Sequence, residues 1–316
     1  MAQKPKLGFI GIGIMGEAMV LRLLDQGFAV TVWNLTPDRY ATVVPEGARR
    51  AASPAAVAAA SDLVLMCVLD APAVENCCFG ENGLASAQAA GKIVVDHSTI
   101  NPDATLDIAG RLRRHGAMRW IDAPVSGGPL AAREGTLTVI AGGEAADIAA
   151  IASVMQSAAA HFTHIGGLGA GQTAKILNQA IVGTGYVLMA EALALAEAAG
   201  LDAVKLPDCL AGGHADSNLL RRLYPQMCAR DFDPPRAYAR QLLKDLKNVK
   251  AFAGEVGVDL PLVERAVARF AEFVAQGNEM KDPASIALFY DHAVAGEKIT
   301  GEEPGKRAGK RPGKGQ

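Results

Sequence analysis

The sequence predicts an α/β fold, in which an N-terminal Rossmann-type doubly wound sheet is followed by an all-α C-terminal domain that a long helix joins to it. Three observations support this fold class. Short apolar runs alternate with helical patterns up to about residue 168, a glycine-rich motif follows the first run, and the later segments have helical spacing. At 316 residues the chain is long enough for two hydrophobic cores. We therefore expect a sheet domain over residues 1–168 and a helical domain over 169–298.

The first half of the chain carries the strand and helix pattern of a parallel sheet. Apolar runs at 7–11 and 29–33 flank a helical pattern at 17–26, which predicts a strand, helix, strand unit. Later strands are expected at 63–68, 92–96, 119–123 and 136–141, and the helices between them at 54–60 and 102–115. Continuous apolar runs are typical of strands buried on both faces, so these segments predict one doubly wound sheet.

The second half is predicted to be helical. A glycine cluster at 166–169 marks the boundary, and the run at 171–199 consists of good helix formers that are apolar on nearly every face. Such a helix belongs in a core or a subunit interface, which also favours a homodimer or homotetramer. Further helices are expected at 207–211, 217–227, 238–256 and 262–276, and a last one begins at Asp282-Pro283 with an N-cap and a proline.

Composition indicates an ordinary globular protein that needs neither a metal nor a nucleic acid. The net charge is −2, half the residues are apolar, and the five cysteines have no metal-ligand spacing. Residues 299–316 form a basic tail rich in glycine and proline, which we interpret as disordered; a nucleic-acid or membrane contact is the alternative. No export signal is evident and the most apolar stretch, 180–190, is short for a membrane span, so we expect a cytoplasmic protein.

A dinucleotide-binding motif follows the first predicted strand. Gly11-Ile12-Gly13-Ile14-Met15-Gly16 is GxGxxG between a strand and a helix. The first glycine allows a tight turn, the second lets a pyrophosphate approach the backbone, and the third lets the helix pack closely on the strand. The amides of the helix N-terminus then face the phosphates. This context predicts that the chain binds NAD or NADP.

The end of the second strand favours NADP over NAD. Position 34, where a carboxylate would hold the ribose 2′-hydroxyl of NAD, is Asn34. The segment Asn34-Leu35-Thr36 offers an amide and a hydroxyl, and Arg39, one helical turn on, could supply a positive charge for a 2′-phosphate. The alternative for Arg39 is a solvated helix start, which would leave NAD as the coenzyme.

Three later segments combine with the glycine loop. They are Asp122-Ala-Pro-Val-Ser126-Gly127-Gly128, then Gly169-Ala-Gly-Gln-Thr-Ala-Lys175-Ile-Leu-Asn178-Gln179, then Leu243-Lys244-Asp245. In this order, over roughly residues 6–292, the set resembles the β-hydroxyacid dehydrogenase family, which includes 3-hydroxyisobutyrate dehydrogenases and tartronate semialdehyde reductases. The resemblance implies an NAD(P)-dependent dehydrogenase or reductase that acts on a small anionic hydroxy acid or its oxo partner in a cleft between the domains.

The residues of these segments suit that chemistry. Ser126, Gly127 and Gly128 form a tight loop whose hydroxyl and amides can bind an anion, which in the family is the substrate carboxylate. Lys175 lies near the start of an apolar helix, where an ammonium is costly, although a lone lysine there often reaches solvent. The resemblance makes Lys175 the general acid and base, and a pKa brought toward neutrality by desolvation would suit it.

The resemblance also assigns the remaining site residues. Asn178 and Gln179, three and four residues after Lys175, would hold the substrate hydroxyl, and the Asn-Gln pair matches the form found in tartronate semialdehyde reductases. The residues expected at the coenzyme are Val68, Leu69, Ser98, Thr99, Lys244 and Asp245, with Lys244 also expected to reach the substrate. A surface lysine beside Asp245 is the alternative for Lys244.

Two other functions fit the same fold. Imine reductases share the architecture and the glycine loop but typically lack a lysine at the position of Lys175, and a non-catalytic dinucleotide reader would lack the lysine or the loop at 126–128. The six histidines show no carboxylate partner, so we interpret each as structural or surface. Which hydroxy acid is the substrate stays open.

Overall fold

A computed structural model describes residues 4–291, and within them nine strands form one sheet. The strands are β1 (Leu7–Ile10), β2 (Val30–Trp33), β3 (Arg49–Arg50), β4 (Leu63–Met66), β5 (Ile93–Asp96), β6 (Arg119–Asp122), β7 (Val125–Ser126), β8 (Leu137–Gly142) and β9 (Ala159–Gly166). Their order is β3-β2-β1-β4-β5-β6-β8-β7, with β9 beside β8. The predicted tail at 299–316 and the end of the helical domain lie outside the described residues.

The first six strands are parallel, as the sequence predicts, and the sheet then changes direction. Strand β8 pairs antiparallel with β6 and with the short β7, while β9 pairs parallel with β8. Helices cover both faces: α1 (Ile14–Asp25), α2 (Pro54–Ala60), α3 (Ala71–Phe79), α4 (Pro102–Gly116), α5 (Gly128–Glu134) and α6 (Ala145–Ala158). Two separate hydrophobic clusters lie on either side of the sheet, so the strands are buried on both faces.

Within residues 170–291 the second domain contains helices and no strand. Its α-helices are α7 (Ala170–Ala198), α8 (Leu206–Cys209), α9 (Asn218–Cys228), α10 (Ala239–Glu255) and α11 (Pro261–Phe273). A π-helical turn (Val274–Asn278) follows, and a 3₁₀ helix (Pro283–Tyr290) ends the described chain. Asp282 caps this last helix through its side chain, as the sequence predicts. The helices enclose their own core, in which Tyr224, Phe270 and Phe273 are the largest buried side chains.

The long helix α7 is the connection between the two domains. By length and composition alone this 29-residue helix is long and apolar enough to cross a membrane, although the stretch considered in the sequence, 180–190, is shorter than a span. In the fold, however, α7 packs against β8, α9, α10 and the last 3₁₀ helix. It also buries Gln172, Lys175 and Gln179. Both features are typical of a core helix that carries functional side chains.

The start of α7 is fixed to the sheet by a buried carboxylate. The two oxygens of Asp122, at the end of β6, accept hydrogen bonds from the backbone N–H groups of Gly169 and Gln172, each 2.8 Å long. Gln172 in turn donates to the carbonyl of Ser98 at 2.7 Å and accepts from the N–H of Ile100. These contacts fix the first turn of α7 on the sheet. They therefore also position the side chains on the next turn of the helix.

Candidate active site

A cleft of about 560 Å³ lies at the carboxyl ends of the parallel strands, between the sheet and the helical domain. In open α/β sheets this is the edge at which ligands bind. The lining combines the glycine loop, the ends of β2, β4 and β5, the loop at 125–129, one face of α7 and the first turns of α10. Within the described residues, the lining contains the cations Arg39, Lys175, Arg236, Arg240 and Lys244, and its acidic side chain is Asp245. The cleft is therefore suited to anionic ligands.

The predicted glycine loop has the shape that a dinucleotide requires. A Cβ at Gly16 would lie 1.9 Å from the carbonyl oxygen of Gly11, so the close packing of helix on loop depends on the missing side chain. A Cβ at Gly13 would meet nothing within 4 Å, which leaves open space above the amides that begin α1. All six residues at 11–16 line the cleft. The loop fits a pyrophosphate at this helix N-terminus.

The residues after β2 form the outer end of the cleft. Asn34 uses its amide within the loop: Oδ1 accepts from the N–H of Ile12 at 2.7 Å, and Nδ2 donates to the carbonyl of Thr36 at 3.0 Å. Asn34 therefore holds the glycine loop in place, which sequence reasoning did not foresee. Leu35, Thr36 and Arg39 line the same end, and Leu35 is 75% exposed.

Lys175 lies at the inner end of the cleft. Its side chain is buried, and Nζ donates to the carbonyl oxygen of Val125 at 2.9 Å. Burial lowers the pKa of Lys175 from 10.5 to about 8; the nearby carboxylate of Asp245 opposes this shift and the ammonium of Lys244 adds to it. The expectation of a lysine with a pKa close to neutrality agrees with the structure in direction and cause.

A hydrogen-bonded chain joins α7 to α10 beside Lys175. The side chain of Gln179 donates to Asp245 Oδ2 at 2.6 Å and accepts from Asn178 Nδ2 at 2.8 Å. Gln179 lines the cleft, whereas Asn178 is not among the lining residues of the described chain. The reason is helical geometry, because a residue four positions after Lys175 is rotated by roughly 40° from it and a residue three positions after by roughly 60° in the other direction.

Lys244 spans the cleft from the helical domain to the sheet domain. Its ammonium donates to the carbonyl oxygens of Leu69 at 2.9 Å and Thr99 at 2.8 Å, and it lies 2.9 Å from Asp245 Oδ1. The alternative of a surface lysine is wrong, since only 25% of its side chain is exposed. Lys244 therefore holds the two domains together across the inner end of the cleft.

The predicted anion loop lies beside Lys175, whose Nζ donates to the carbonyl of Val125, the residue before Ser126. Ser126 ends β7, and Gly127 and Gly128 follow with φ of +130° and +77°, a region that favours glycine. All three residues line the cleft, and α5 begins at Gly128. Arg222 from α9 donates to the carbonyl of Gly127 at 3.2 Å, so the helical domain contacts the loop directly.

The ends of β4 and β5 complete the inner wall. Val68, Leu69, Ser98 and Thr99 all line the cleft, and the hydroxyl of Ser98 accepts from the N–H of Val68 at 2.9 Å. Burial raises the pKa of Asp96 to about 7, against hydrogen bonds from Ser98 that lower it. The buried polar groups of this wall, Asp96 and Ser98, therefore lie at the end of β5, next to the half-buried Val68.

Several lining residues were not predicted from the sequence. Val182 and Tyr186 follow Lys175 at seven and eleven positions on α7, and this spacing was the available signal that they share its face. Tyr238 and Arg240 come from the start of α10, and Arg236 from the loop that precedes it. These residues line the cleft only because of the way the two domains pack together. No local sequence pattern indicates that packing.

Comparisons with known proteins match both halves of the chain. Residues 6–166 match the family described as the NAD binding domain of 6-phosphogluconate dehydrogenase, and residues 169–290 match the one described as NAD-binding of NADP-dependent 3-hydroxyisobutyrate dehydrogenase. A 2-hydroxy-3-oxopropionate reductase of Escherichia coli (strain K12) is 35% identical over 92% of this chain and 100% of its own length.

Solved structures agree with these sequence matches. A 3-hydroxyisobutyrate dehydrogenase of Mycobacterium tuberculosis superposes with a TM-score of 0.80 at 26% identity, covering 92% of this chain and 100% of that one. An imine reductase from Pseudomonas sp. has a TM-score of 0.60 at 21% identity, covering 90% of this chain and 100% of that one. The second likeness is one of fold alone.

Proposed function

Since the chain belongs to the β-hydroxyacid dehydrogenase family, and so is an NAD(P)-dependent oxidoreductase of hydroxy acids, we propose that Lys175 carries its proton-transfer step. The observation that carries this proposal is the buried amine of Lys175 in a cleft whose other end is the glycine loop. Imine reductases share the fold at lower similarity, and the lysine argues against that alternative. A reader without catalysis would not need a buried lysine with a lowered pKa.

The reaction transfers one proton as well as one hydride in either direction. When bound, the nicotinamide coenzyme supplies a hydride to the carbonyl carbon or accepts one from the alcohol carbon. Lys175 as ammonium gives its proton to the carbonyl oxygen in reduction, and as amine takes the hydroxyl proton in oxidation. The carbonyl of Val125, 2.9 Å from Nζ, accepts one N–H and so directs the rest of the amine toward the cleft.

The substrate is oriented by its carboxylate. Ser126, Gly127 and Gly128 offer a hydroxyl and unobstructed amides to that anion. Gln179, held by Asp245, presents its side chain on the same face of α7 as Lys175, which suits a contact with the substrate hydroxyl. Among hydroxy acids, the 35% identity with a 2-hydroxy-3-oxopropionate reductase and the Asn178-Gln179 pair favour tartronate semialdehyde.

We propose NADP as the preferred coenzyme. The outer end of the cleft has the cation Arg39 and the hydroxyl of Thr36, and its lining within residues 4–291 has no carboxylate that would repel a 2′-phosphate.

Loss of an ion pair with phosphate corresponds to about tenfold to hundredfold in affinity. Arg39→Ala should therefore weaken NADPH binding by that factor and leave NADH binding unchanged. Arg49→Ala, an exposed arginine outside the cleft lining, is the control.

A homo-oligomer is the proposed assembly. Leu177, Ile181, Leu188 and Leu195 are each between 58% and 72% exposed and recur along one side of α7. An apolar row of this kind on a long helix is costly in water and fits a second copy of the chain.

The enzyme assay tests the function as a whole. Absorbance at 340 nm is followed with NAD⁺, NADP⁺, NADH and NADPH against 3-hydroxyisobutyrate, threonate and tartronate semialdehyde. We expect turnover of at least one acid with a clear coenzyme preference. Nucleotide binding without turnover of any acid would favour the reader, and absence of nucleotide binding would refute the assignment.

A further inference from the structure

Arg236 lines the cleft but has no role in the proposed reaction. In that reaction the glycine loop holds the coenzyme phosphates, and the loop at 126–128 holds one carboxylate of the substrate. Arg240 also lines the cleft, but it precedes Lys244 by one helical turn and so shares the face of α10 that turns toward the sheet domain. Arg236 instead lies in the loop that precedes α10. Neither the coenzyme nor a monocarboxylic acid accounts for its place in the lining.

Tyr186 lines the same cleft with an unused hydroxyl. Burial raises the pKa of Tyr186 to about 12, and the carboxylate of Asp282 adds to the rise. The guanidiniums of Arg222 and Arg236 oppose it, so both cations lie near the phenol. The hydroxyl is therefore protonated at neutral pH, and no residue among 4–291 forms a hydrogen bond with it. A half-buried donor of this kind is satisfied by an acceptor that enters the cleft.

The packing of α9 brings this tyrosine close to the substrate loop. A Cβ at Gly185 would lie 2.2 Å from the side chain of Leu219, so α9 packs directly on the turn of α7 that carries Tyr186. One helical turn after Leu219, Arg222 donates to the carbonyl of Gly127 at 3.2 Å. Arg222 therefore connects the loop that binds the first carboxylate with the part of the cleft that contains the phenol.

Arg236 is held in this part of the cleft by its backbone and by one ion pair. Its N–H donates to Asp282 Oδ2 at 2.8 Å, and the other oxygen of Asp282 accepts from the N–H of Ala284 at 2.9 Å. That carboxylate is 2% exposed and bound at both oxygens, so it does not occupy the guanidinium. One terminal nitrogen of the guanidinium donates to Asp231 at 2.5 Å, and the side chain is 52% exposed. The remaining N–H groups are available to an anion.

We infer that Tyr186, Arg222 and Arg236 form a second anion site, which binds the far carboxylate of a dicarboxylic β-hydroxy acid. The first carboxylate of such an acid lies on the loop at 126–128, and its hydroxyl lies at Lys175. Guanidiniums match the planar shape of a carboxylate, and the phenol adds one more donor. The inference rests on the proposed function, and it adds a substrate class to the monocarboxylic acids, which occupy the loop alone.

Matched substrates test the second anion site. In one series the methyl group of 3-hydroxyisobutyrate carries a second carboxylate, either directly or through one or two further methylene groups. In the other series a neutral carboxamide of the same shape replaces that second carboxylate. We would measure kcat and KM for oxidation of both series by the wild type, Arg236→Gln and Tyr186→Phe. The control is Arg265→Gln, an exposed arginine of α11 outside the cleft lining, and melting curves check that each variant folds.

For at least one chain length, the wild type should oxidise the dicarboxylic acid with a kcat/KM about tenfold above that of the carboxamide, mainly through a lower KM. Tenfold is the lower end of the range for hydrogen bonds to a charged group, because solvent screens the half-exposed Arg236. In Arg236→Gln this ratio should fall to about threefold or less. Tyr186→Phe should lower the ratio in part, and Arg265→Gln should keep the wild-type value.

A wild-type ratio of one or below, or no oxidation of any dicarboxylic acid, would overturn the inference. Reduction of tartronate semialdehyde by the same preparation would then leave the proposed function intact. A high ratio that Arg236→Gln leaves unchanged would also overturn the inference, because the second carboxylate would bind elsewhere. An equal loss of kcat/KM on the dicarboxylic acid and the carboxamide would make Arg236 a structural residue and the inference wrong. An enzyme that acts on none of the acids would refute the proposed function as well.

Discussion

Replacing Lys175 with methionine should make the protein more stable and inactive. The pKa of Lys175 is lowered from 10.5 to about 8, chiefly by burial. At pH 7 this depression corresponds to about 3 kcal/mol of destabilisation of the folded state, since each pKa unit is about 1.4 kcal/mol. Methionine has a similar length and no charge, and it forgoes the hydrogen bond to Val125 O, worth about 1 kcal/mol. We expect a net gain of about 2 kcal/mol at pH 7.

The sign of this effect follows from proton binding. Between pH 8 and 10.5 the unfolded chain holds a proton on Lys175 that the folded chain has lost, so wild-type stability rises with pH across this window. The destabilisation that the buried ammonium of Lys175 causes therefore falls at pH 9.5 to about half its value at pH 7. Urea unfolding of the coenzyme-free protein at both pH values measures the difference, with the exposed Lys247→Met as control. A Lys175→Met variant that is less stable than wild type by the same amount at both pH values would refute the reasoning.

Three further predictions concern the loop, the domain junction and the assembly. Gly13→Ala should fold normally and bind nucleotide at least tenfold more weakly, which calorimetry measures. Gly16→Ala, whose Cβ would lie 1.9 Å from a backbone oxygen, should instead lose about 2 kcal/mol or more of stability, which melting curves detect. Asp122→Asn exchanges one acceptor of the α7 cap for a donor and should cost about 1.5–3 kcal/mol of stability, and kcat should fall while coenzyme affinity is unchanged; unaltered kcat and melting temperature would contradict the positioning role. Combined Ile181→Glu and Leu188→Glu should shift the protein to monomers in sedimentation experiments, and a wild type that is already monomeric would exclude the proposed interface.

The sheet domain was largely predictable because its signals are local. Strands β1, β4 and β5 are short apolar runs, and each was predicted to within a residue or two of its observed bounds. The glycine loop follows β1 directly, so its structural context could be recognised in the sequence. The same local reasoning correctly placed α7, which begins at Ala170 and ends at Ala198.

The far edge of the sheet was not predicted. Strand β9 was missed because it pairs only with β8 and most of its side chains are exposed, which removes the apolar run that marks a buried strand. Helix α5 was not predicted, since it is short and begins with Gly128-Pro129, next to the loop expected at residues 126–128. Strand β8 pairs antiparallel with β6 and β7, and its apolar sequence alone does not indicate this direction.

The candidate site was predictable where a motif carried it and unpredictable where the domains meet. Lys175 and Ser126 were recognised from the segments around them, and both line the cleft. His97 was interpreted as structural or surface; it is buried, and its partner is the backbone carbonyl of Ala123, a contact that leaves no trace in the sequence. The bridge from Lys244 to Thr99 O joins residues 145 positions apart and follows only from domain packing.

The central claim is that Lys175 transfers the proton, and the pH dependence of kcat/KM in both reaction directions tests it most directly. Oxidation requires the amine, so its rate should rise with pH and level off above about 8; reduction requires the ammonium, so its rate should be level below about 8 and fall above it. In Lys175→Ala both rates should drop by orders of magnitude, and the rise with pH in oxidation and the fall with pH in reduction should both disappear. Coenzyme affinity should persist. A Lys175→Ala variant that keeps wild-type turnover, or the same two limbs, would contradict the account.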